Sequence, residues 1–247
     1  MMVTVLKLGG SVITDKDQPE TADQGAIETA AAAIGGFLQA DEQLVVVHGG
    51  GSFGHHHAAR VGVSSTDGSR DVAGLLAIHR AMGDLTDIVL DTLHDHSVDA
   101  LPVAPLSAAH RTADDTVEFP SSHIRTMLDE GFTPVINGDV VAHAGKGATV
   151  LSGDTIVVSL AQSLDADRVG LCSTVGGVLD DSGDVIAEIE AYDDVADVLG
   201  GSESTDVTGG MAAKVRQLLD LDVPASVFDL GSLAAFLDTG SAGTVVR

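Results

Sequence analysis

The sequence predicts an α/β protein, a three-layer αβα sandwich around a largely parallel sheet. Three observations carry this expectation. Short apolar runs alternate with longer segments of helical periodicity, the pattern of strands joined by crossover helices. Gly-rich turns at 9–11, 49–54, 137–139 and 208–210 follow strands or open helices. The 247 residues are 44% hydrophobic, enough to bury a sizeable core.

Each element can be justified in order. Residues 3–8, VTVLKL, read as a buried first strand feeding a glycine turn, and GAIETAAAAIGGFLQA as an Ala-rich helix. Residues 44–48 form a second strand, which leads through glycines into a short helix from about Phe53. Residues 70–97 form a long helix, with Leu75, Leu76, Ile78, Met82, Leu85, Ile88, Val89 and Leu93 at helical spacing. LPVAPL is a strand, SSHIRTMLDEG a helix with an N-cap serine, and FTPVING another strand. VVAHAGKGATVL reads as a hairpin, and SGDTIVVSLAQSL as a helix opened by Ser-Gly-Asp. DRVGLCST is a strand, GGVLDDSGDVIAEI a hairpin or pair of short strands, and GGMAAKVRQLLDL a helix behind a Gly pair. ASVFDL, GSLAAFL and GTVVR close the chain as strand, helix and strand. A soft boundary near LSGD divides residues 1–150 from 151–247, two lobes expected to share one continuous sheet.

Charge narrows the partners. There are 37 acidic residues against 12 Lys plus Arg, a net charge of −25, scattered along the chain. Such a surface repels itself at low ionic strength and is screened in concentrated salt, which points to a halophilic source. It argues against nucleic acid or an anionic membrane as partner. No apolar run approaches the roughly 18–20 residues of a membrane span, and MMVTVLKLGG lacks the features of a signal peptide, so a cytoplasmic location is expected. The single cysteine, Cys172 in RVGLCST, excludes an internal disulfide and a cysteine-based zinc site, and reads as a small core residue.

Lysine is nearly absent. The four that remain are Lys7, Lys16, Lys146 and Lys214, each in or beside a Gly-containing segment. Glycine lets a phosphate approach the backbone, and free N–H groups at helix starts bind anions. Ligands of an open α/β sheet sit at the carboxyl ends of its strands. Four glycine turns with the scarce lysines attached therefore suggest phosphate binding. Neither a P-loop nor a dinucleotide-type G-x-G-x-x-G after the first strand is present, so the mode of binding is another one. The triplet His55, His56, His57 lacks the spacing of three or four that a helical metal pair prefers, and His48 at a strand end reads as structural.

KLGGSVITDK, VVHGGGSFGH, PVINGDV, LSGD and DVTGGMAAKV, in this order, resemble the amino acid kinase superfamily and, within it, the isopentenyl phosphate kinases of the archaeal mevalonate pathway. The likeness spans residues 5 to about 218. It implies transfer of a phosphoryl group from ATP to isopentenyl phosphate, with Mg²⁺ bound mainly through the ATP phosphates rather than by protein ligands. It places Lys7 and Lys214 on the ATP phosphates, with Gly9, Gly10, Ser11, Gly51 and Gly210 around the nucleotide. Asp154 matches the aspartate that holds the lysines; read from the residues alone, it could cap a helix starting at Thr155, and both roles could hold together. Gly50, Gly54, His55 and Gly138 fall on the acceptor phosphate, and Lys16 is a further contact. Lys7, His55, Asp154 and Lys214 form the implied catalytic set. His56 stands where the family often has proline. An apolar wall for the acceptor tail would come from Leu76, Met82, Ile88 or Val140. Lys146 is a candidate for an ATP lid. The resemblance implies a homodimer. Alternatives are a phosphonate, carboxylate or carbamate kinase of the same superfamily, or a nucleotide-binding protein without turnover.

Overall fold

The computed structural model describes residues 2–38, 42–200 and 210–247. In chain order these form β1 (Val3–Leu8), α1 (Gly10–Ile13), α2 (Gln24–Phe37), β2 (Gln43–His48), α3 (Gly51–Val61) and α4 (Val72–Asp95). Next come β3 (Ala100–Val103), α5 (Pro105–Ala108), β4 (His110–Arg111), β5 (Val117–Glu118), α6 (Ser122–Asp129) and β6 (Thr133–Asn137). The chain continues through β7 (Asp139–His143), β8 (Gly147–Leu151), α7 (Gly153–Ser163), β9 (Arg168–Ser173), β10 (Glu188–Ile189) and α8 (Ala196–Gly200). It ends with α9 (Gly210–Leu219), β11 (Ala225–Asp229), α10 (Leu233–Thr239) and β12 (Thr244–Val246).

Eight strands make one sheet in the order β10-β12-β11-β9-β1-β2-β6-β3, parallel throughout except at β11–β12. The expected α/β sandwich with a mostly parallel sheet is therefore the observed architecture. The 140–151 hairpin is present as β7 and β8, but it belongs to a second sheet, β5-β4-β7-β8.

The two-residue period of a strand decides what lies on each face. Val3 and Val5 of β1, with Val45 and Val47 of β2, pack in one cluster with Ile156, Val157 and Leu160 of α7. Leu6 and Leu8, with Leu44 and Val46, join the opposite cluster with Ile27, Ile34, Met82 and Leu85 of α2 and α4. Lys7 continues the Val3–Val5 row, so its side chain is delivered to the α7 side of the sheet. Ile156, Val157 and Leu160 are wholly buried, each contributing about 2 kcal/mol to seating α7. That anchors the start of α7 beside Lys7.

Several boundaries differ from the sequence reading. Helix α3 begins at Gly51, two residues before Phe53, because Gly50 already accepts from the Phe53 and Gly54 amides. The strand in LPVAPL stops at Val103, and proline at the first helical position then starts α5. Ser121 precedes α6, but its hydroxyl donates to the Ser163 carbonyl instead of capping the helix. Of GGVLDDSGDVIAEI, one Leu179–Val185 bridge and the short β10 form. Residues 201–209, which hold most of the 208–210 turn and the start of DVTGGM, lie outside the described residues.

Candidate active site

A cleft of about 610 Å³ opens at the carboxyl ends of β1, β2, β6 and β9. Its floor is built from two glycine turns pressed backbone to backbone. A Cβ on Gly10 would fall 2.2 Å from the Gly51 amide nitrogen. A Cβ on Gly51, whose φ is +46°, would fall 2.0 Å from Thr14 Oγ1. Thr14 Oγ1 donates to the Gly10 carbonyl (2.8 Å) and accepts from the Ser52 amide (3.0 Å), which ties α1 to α3. Gly51→Ala is expected to lower stability by about 2–4 kcal/mol, since strain at positive φ and a close contact coincide; denaturant melts measure this directly. The Gly9 amide donates to the Cys172 carbonyl (2.9 Å) and joins the turn to β9. Cys172 is a buried core thiol, as the sequence suggests, its pKa pushed up to about 12 by burial and then by Asp229.

Two helices start on this cleft, α3 at Gly51 and α7 at Gly153. Their first-turn N–H groups lack intrahelical partners and carry the positive end of the helix dipole. The N-cap of α7 is Ser152, whose hydroxyl accepts from the Thr155 amide, so Asp154 does not cap the helix. Asp154 sits in the first turn and is buried. Its Oδ1 lies 2.5 Å from Lys7 Nζ and its Oδ2 lies 3.9 Å from Lys214 Nζ. Burial works against ionising Asp154, but the ammonium of Lys7 and then that of Lys214 outweigh it and hold the carboxyl below the usual carboxylate range. Residues 207 positions apart thus meet on one carboxylate, and both lysine charges face the cleft.

The cleft walls include Gly9, Gly10, Ser11, Gly50, Gly51, Gly54, His55 and Gly138 with Lys7, Asp154 and Lys214. Gly210 opens α9 one turn before Lys214 but is not among those walls. Lys16 lines an adjoining depression that shares Ser11 and Thr174 with the cleft. Among the proposed tail contacts, Met82 lines the cleft, joined by Ile78. Val140 is core, Leu76 is exposed, and Ile88 packs at the edge of the core.

The three histidines separate. His55 is exposed on the cleft wall, and His56 is exposed away from it. His57 pairs with Glu20, a residue at φ +50°, and so clasps the 15–22 loop to α3. His48 is fully buried against Thr86 (2.9 Å), and desolvation lowers its pKa to about 4, so it is neutral and structural.

Sequence reasoning missed Asp139, Arg111 and Asp115, which also line the cleft. Asp139 is buried, raised above the usual carboxylate range by desolvation, and bonded to His79 Nδ1 at 2.7 Å. Its signal was its place next to Gly138 in PVINGDV. Lys146 is salt-bridged to Asp115 at 2.9 Å and does not line the cleft.

A glycine-built anion cradle with cations converging on one buried carboxylate, at the carboxyl end of a parallel sheet, defines a phosphate-handling α/β protein of the kinase type. The comparisons agree with that class. Residues 2–221 match the Amino acid kinase family. An isopentenyl phosphate kinase of Haloferax volcanii is 61% identical over 247 residues, covering 100% of this chain and 99% of that one. That of Methanocaldococcus jannaschii is 35% identical over 229 residues, 88% of this chain and 86% of that protein. A solved isopentenyl phosphate kinase structure superposes with a TM-score of 0.85 at 26% identity, covering 99% of this chain and 100% of that one. The chain belongs to the amino acid kinase family and, within it, to the isopentenyl phosphate kinases.

Proposed function

We propose that this protein transfers the γ-phosphoryl group of ATP to isopentenyl phosphate, giving isopentenyl diphosphate and ADP. The observation that carries the reading is one cleft lined by two unlike groups of side chains. Lys7 and Lys214 converge on Asp154, and His55 and the apolar Ile78 and Met82 line the same cleft. In the reaction an acceptor phosphate oxygen attacks Pγ, and the bond from Pγ to the ADP oxygen breaks. The acceptor oxygen is already ionised, so no general base is required. The protein's contribution is in-line positioning and cationic stabilisation of charge spread over the transferring group.

In this reading Lys7 and Lys214 neutralise the ATP phosphates, and Asp154 holds both ammoniums in place. Gly9, Gly10, Ser11 and Gly51 present backbone N–H groups, with Gly210 near the nucleotide. Gly50, Gly54, His55 and Gly138 receive the acceptor phosphate, and Lys16 reaches it from the 15–22 loop. Mg²⁺ would be held mainly by the ATP phosphates and would neutralise their charge, since Asp154 is already engaged by two lysines. Residues 1–150 then serve mainly the acceptor and residues 151–247 mainly ATP.

A cytoplasmic location is part of the proposal; among the described residues no helix is long and apolar enough to cross a membrane. A homodimer is part of the proposal. It is supported by β3, an edge strand of the large sheet, with Leu101 and Phe132 exposed beside it. Halophily rests on the net charge of −25: melting temperature should rise steadily from dilute buffer to molar KCl, and a flat profile would remove it. The test of function is an ADP-release assay in molar KCl across isopentenyl phosphate, fosfomycin, glutamate and carbamate. Rapid ADP release with isopentenyl phosphate alone is expected. Turnover of fosfomycin instead would move the assignment to the phosphonate kinases.

A further inference from the structure

Four charged side chains are buried among the described residues: Lys7, Arg111, Asp139 and Asp154. Lys7 and Asp154 are bonded to each other, Asp139 is bonded to His79, and Arg111 has the charge of the Asp115 carboxylate nearby without a bond to it. Arg111 is different. It sits on the two-residue strand β4, between Val117 of β5 and His143 of β7, and is 9% exposed. Its Nη1 donates to the main-chain carbonyl of Asp115 at 3.2 Å, and its Nε has no hydrogen-bond partner among the described residues. The nearby Asp115 carboxylate is held by Lys146 at 2.9 Å, with His143 Nε2 at 3.3 Å. Asp115 acts on the Arg111 guanidinium through its charge, but among the described residues no carboxylate oxygen lies within salt-bridge distance of it.

A buried charge without a bonded counter-ion is costly, and an anion bound beside it offsets that cost. Burial depresses the Arg111 pKa, yet a guanidinium stays charged at any working pH. Arg111 faces the same cleft as His55, beside Ser65 and Thr66 of the loop that docks on β8. Ile78, Met82 and Val150 line the cleft as well. The acceptor arm therefore carries a phosphate-binding imidazole, an apolar wall, and a guanidinium that lines the cleft with Nη1 on the Asp115 carbonyl and Nε enclosed, which leaves Nη2 for a ligand. An isopentenyl tail has no oxygen to offer Nη2.

We propose that Arg111 forms a carboxylate-binding subsite in the acceptor cleft, and that the protein binds short-chain phosphates bearing a carboxylate at the end remote from the phosphate. The subsite rests on the acceptor-cleft reading above, since His55 must hold the phosphate for the far end to reach Arg111. A planar, forked donor suits a carboxylate, and the bond is charge-assisted. Such ligands compete with isopentenyl phosphate for the cleft.

The test compares two probes by calorimetry in molar KCl, 5-phosphooxypentanoate and pentyl phosphate, which differ in the terminal carboxylate. The unsubstituted protein should bind the carboxylate at least about tenfold more tightly, the size expected for a hydrogen bond to a charged group. Arg111→Gln should erase the preference, and Arg111→Lys, which keeps the charge without the fork, should retain part of it. Equal binding of the two probes to the unsubstituted protein overturns the proposal, whether or not the variants fold. An unchanged preference in a folded Arg111→Gln protein overturns it too. Turnover of isopentenyl phosphate is measured on the same preparation. Its absence counts against the proposed function, while the probe ratio still reads the subsite.

Discussion

Asp154→Asn is expected to disable the protein almost completely while leaving the start of α7 capped. Ser152, not Asp154, bonds the Thr155 amide, so the helix keeps its cap. What disappears is the charge that holds Lys7 at 2.5 Å and Lys214 at 3.9 Å. Lys7, a buried ammonium, loses the carboxylate it is bonded to, a loss of about 3–5 kcal/mol in stability. The lysines lose their aim on the transferring group, and kcat should fall about 10²–10³-fold, as when one preorganised electrostatic contact is removed. The pH dependence has a definite sign. The folded-state pKa of Asp154 is depressed: Lys7 and Lys214 overcome the opposing effect of burial. Its contribution to stability is thus fully present above the ordinary carboxylate pKa and is lost as pH falls through the depressed value. Melts of the two proteins should converge in strong acid and separate towards neutrality.

His55→Ala is expected to act on substrate binding and spare the fold. His55 is exposed on the cleft wall, so stability should change by less than about 1 kcal/mol. Loss of a hydrogen bond to an anionic phosphate should raise KM for the acceptor about 10–100-fold, with a smaller effect on kcat. His56→Ala should be near normal, since His56 is exposed and not on the cleft wall. His57→Ala releases the Glu20 clasp and should fall between the two. Steady-state kinetics on the three variants orders the triplet directly; equal effects from His55 and His56 would remove His55 from the site.

The sheet and its covering helices were legible because long periodic segments carry their own signal. Lys7 was legible from the scarcity of lysine and its place after an apolar strand, and strand alternation explains why it points at α7 and not at α4. The glycines of KLGGS and HGGGSFGH announced a close approach. Part of that approach is between the two turns themselves, Gly10 against Gly51, which no single segment could reveal. Ser152 and Asp154 are both plausible caps by residue type, and only the backbone at Ser152 decides between them. Arg111 was illegible because β4 and β5 have two residues each, too few for any periodicity, and its burial comes from partners on β5 and β7. The Glu20–His57 clasp joins residues 37 apart through an unusual backbone conformation, equally beyond local pattern.

The central claim is phosphoryl transfer from ATP to the phosphate of an isopentenyl chain. Phosphorus NMR of the protein with ATP, Mg²⁺ and isopentenyl phosphate in molar KCl tests it most directly. The acceptor's single monophosphate resonance should give way to two mutually coupled diphosphate doublets, as ATP is replaced by ADP in equal amount. ATP consumed to inorganic phosphate, with the acceptor resonance unchanged, would contradict it.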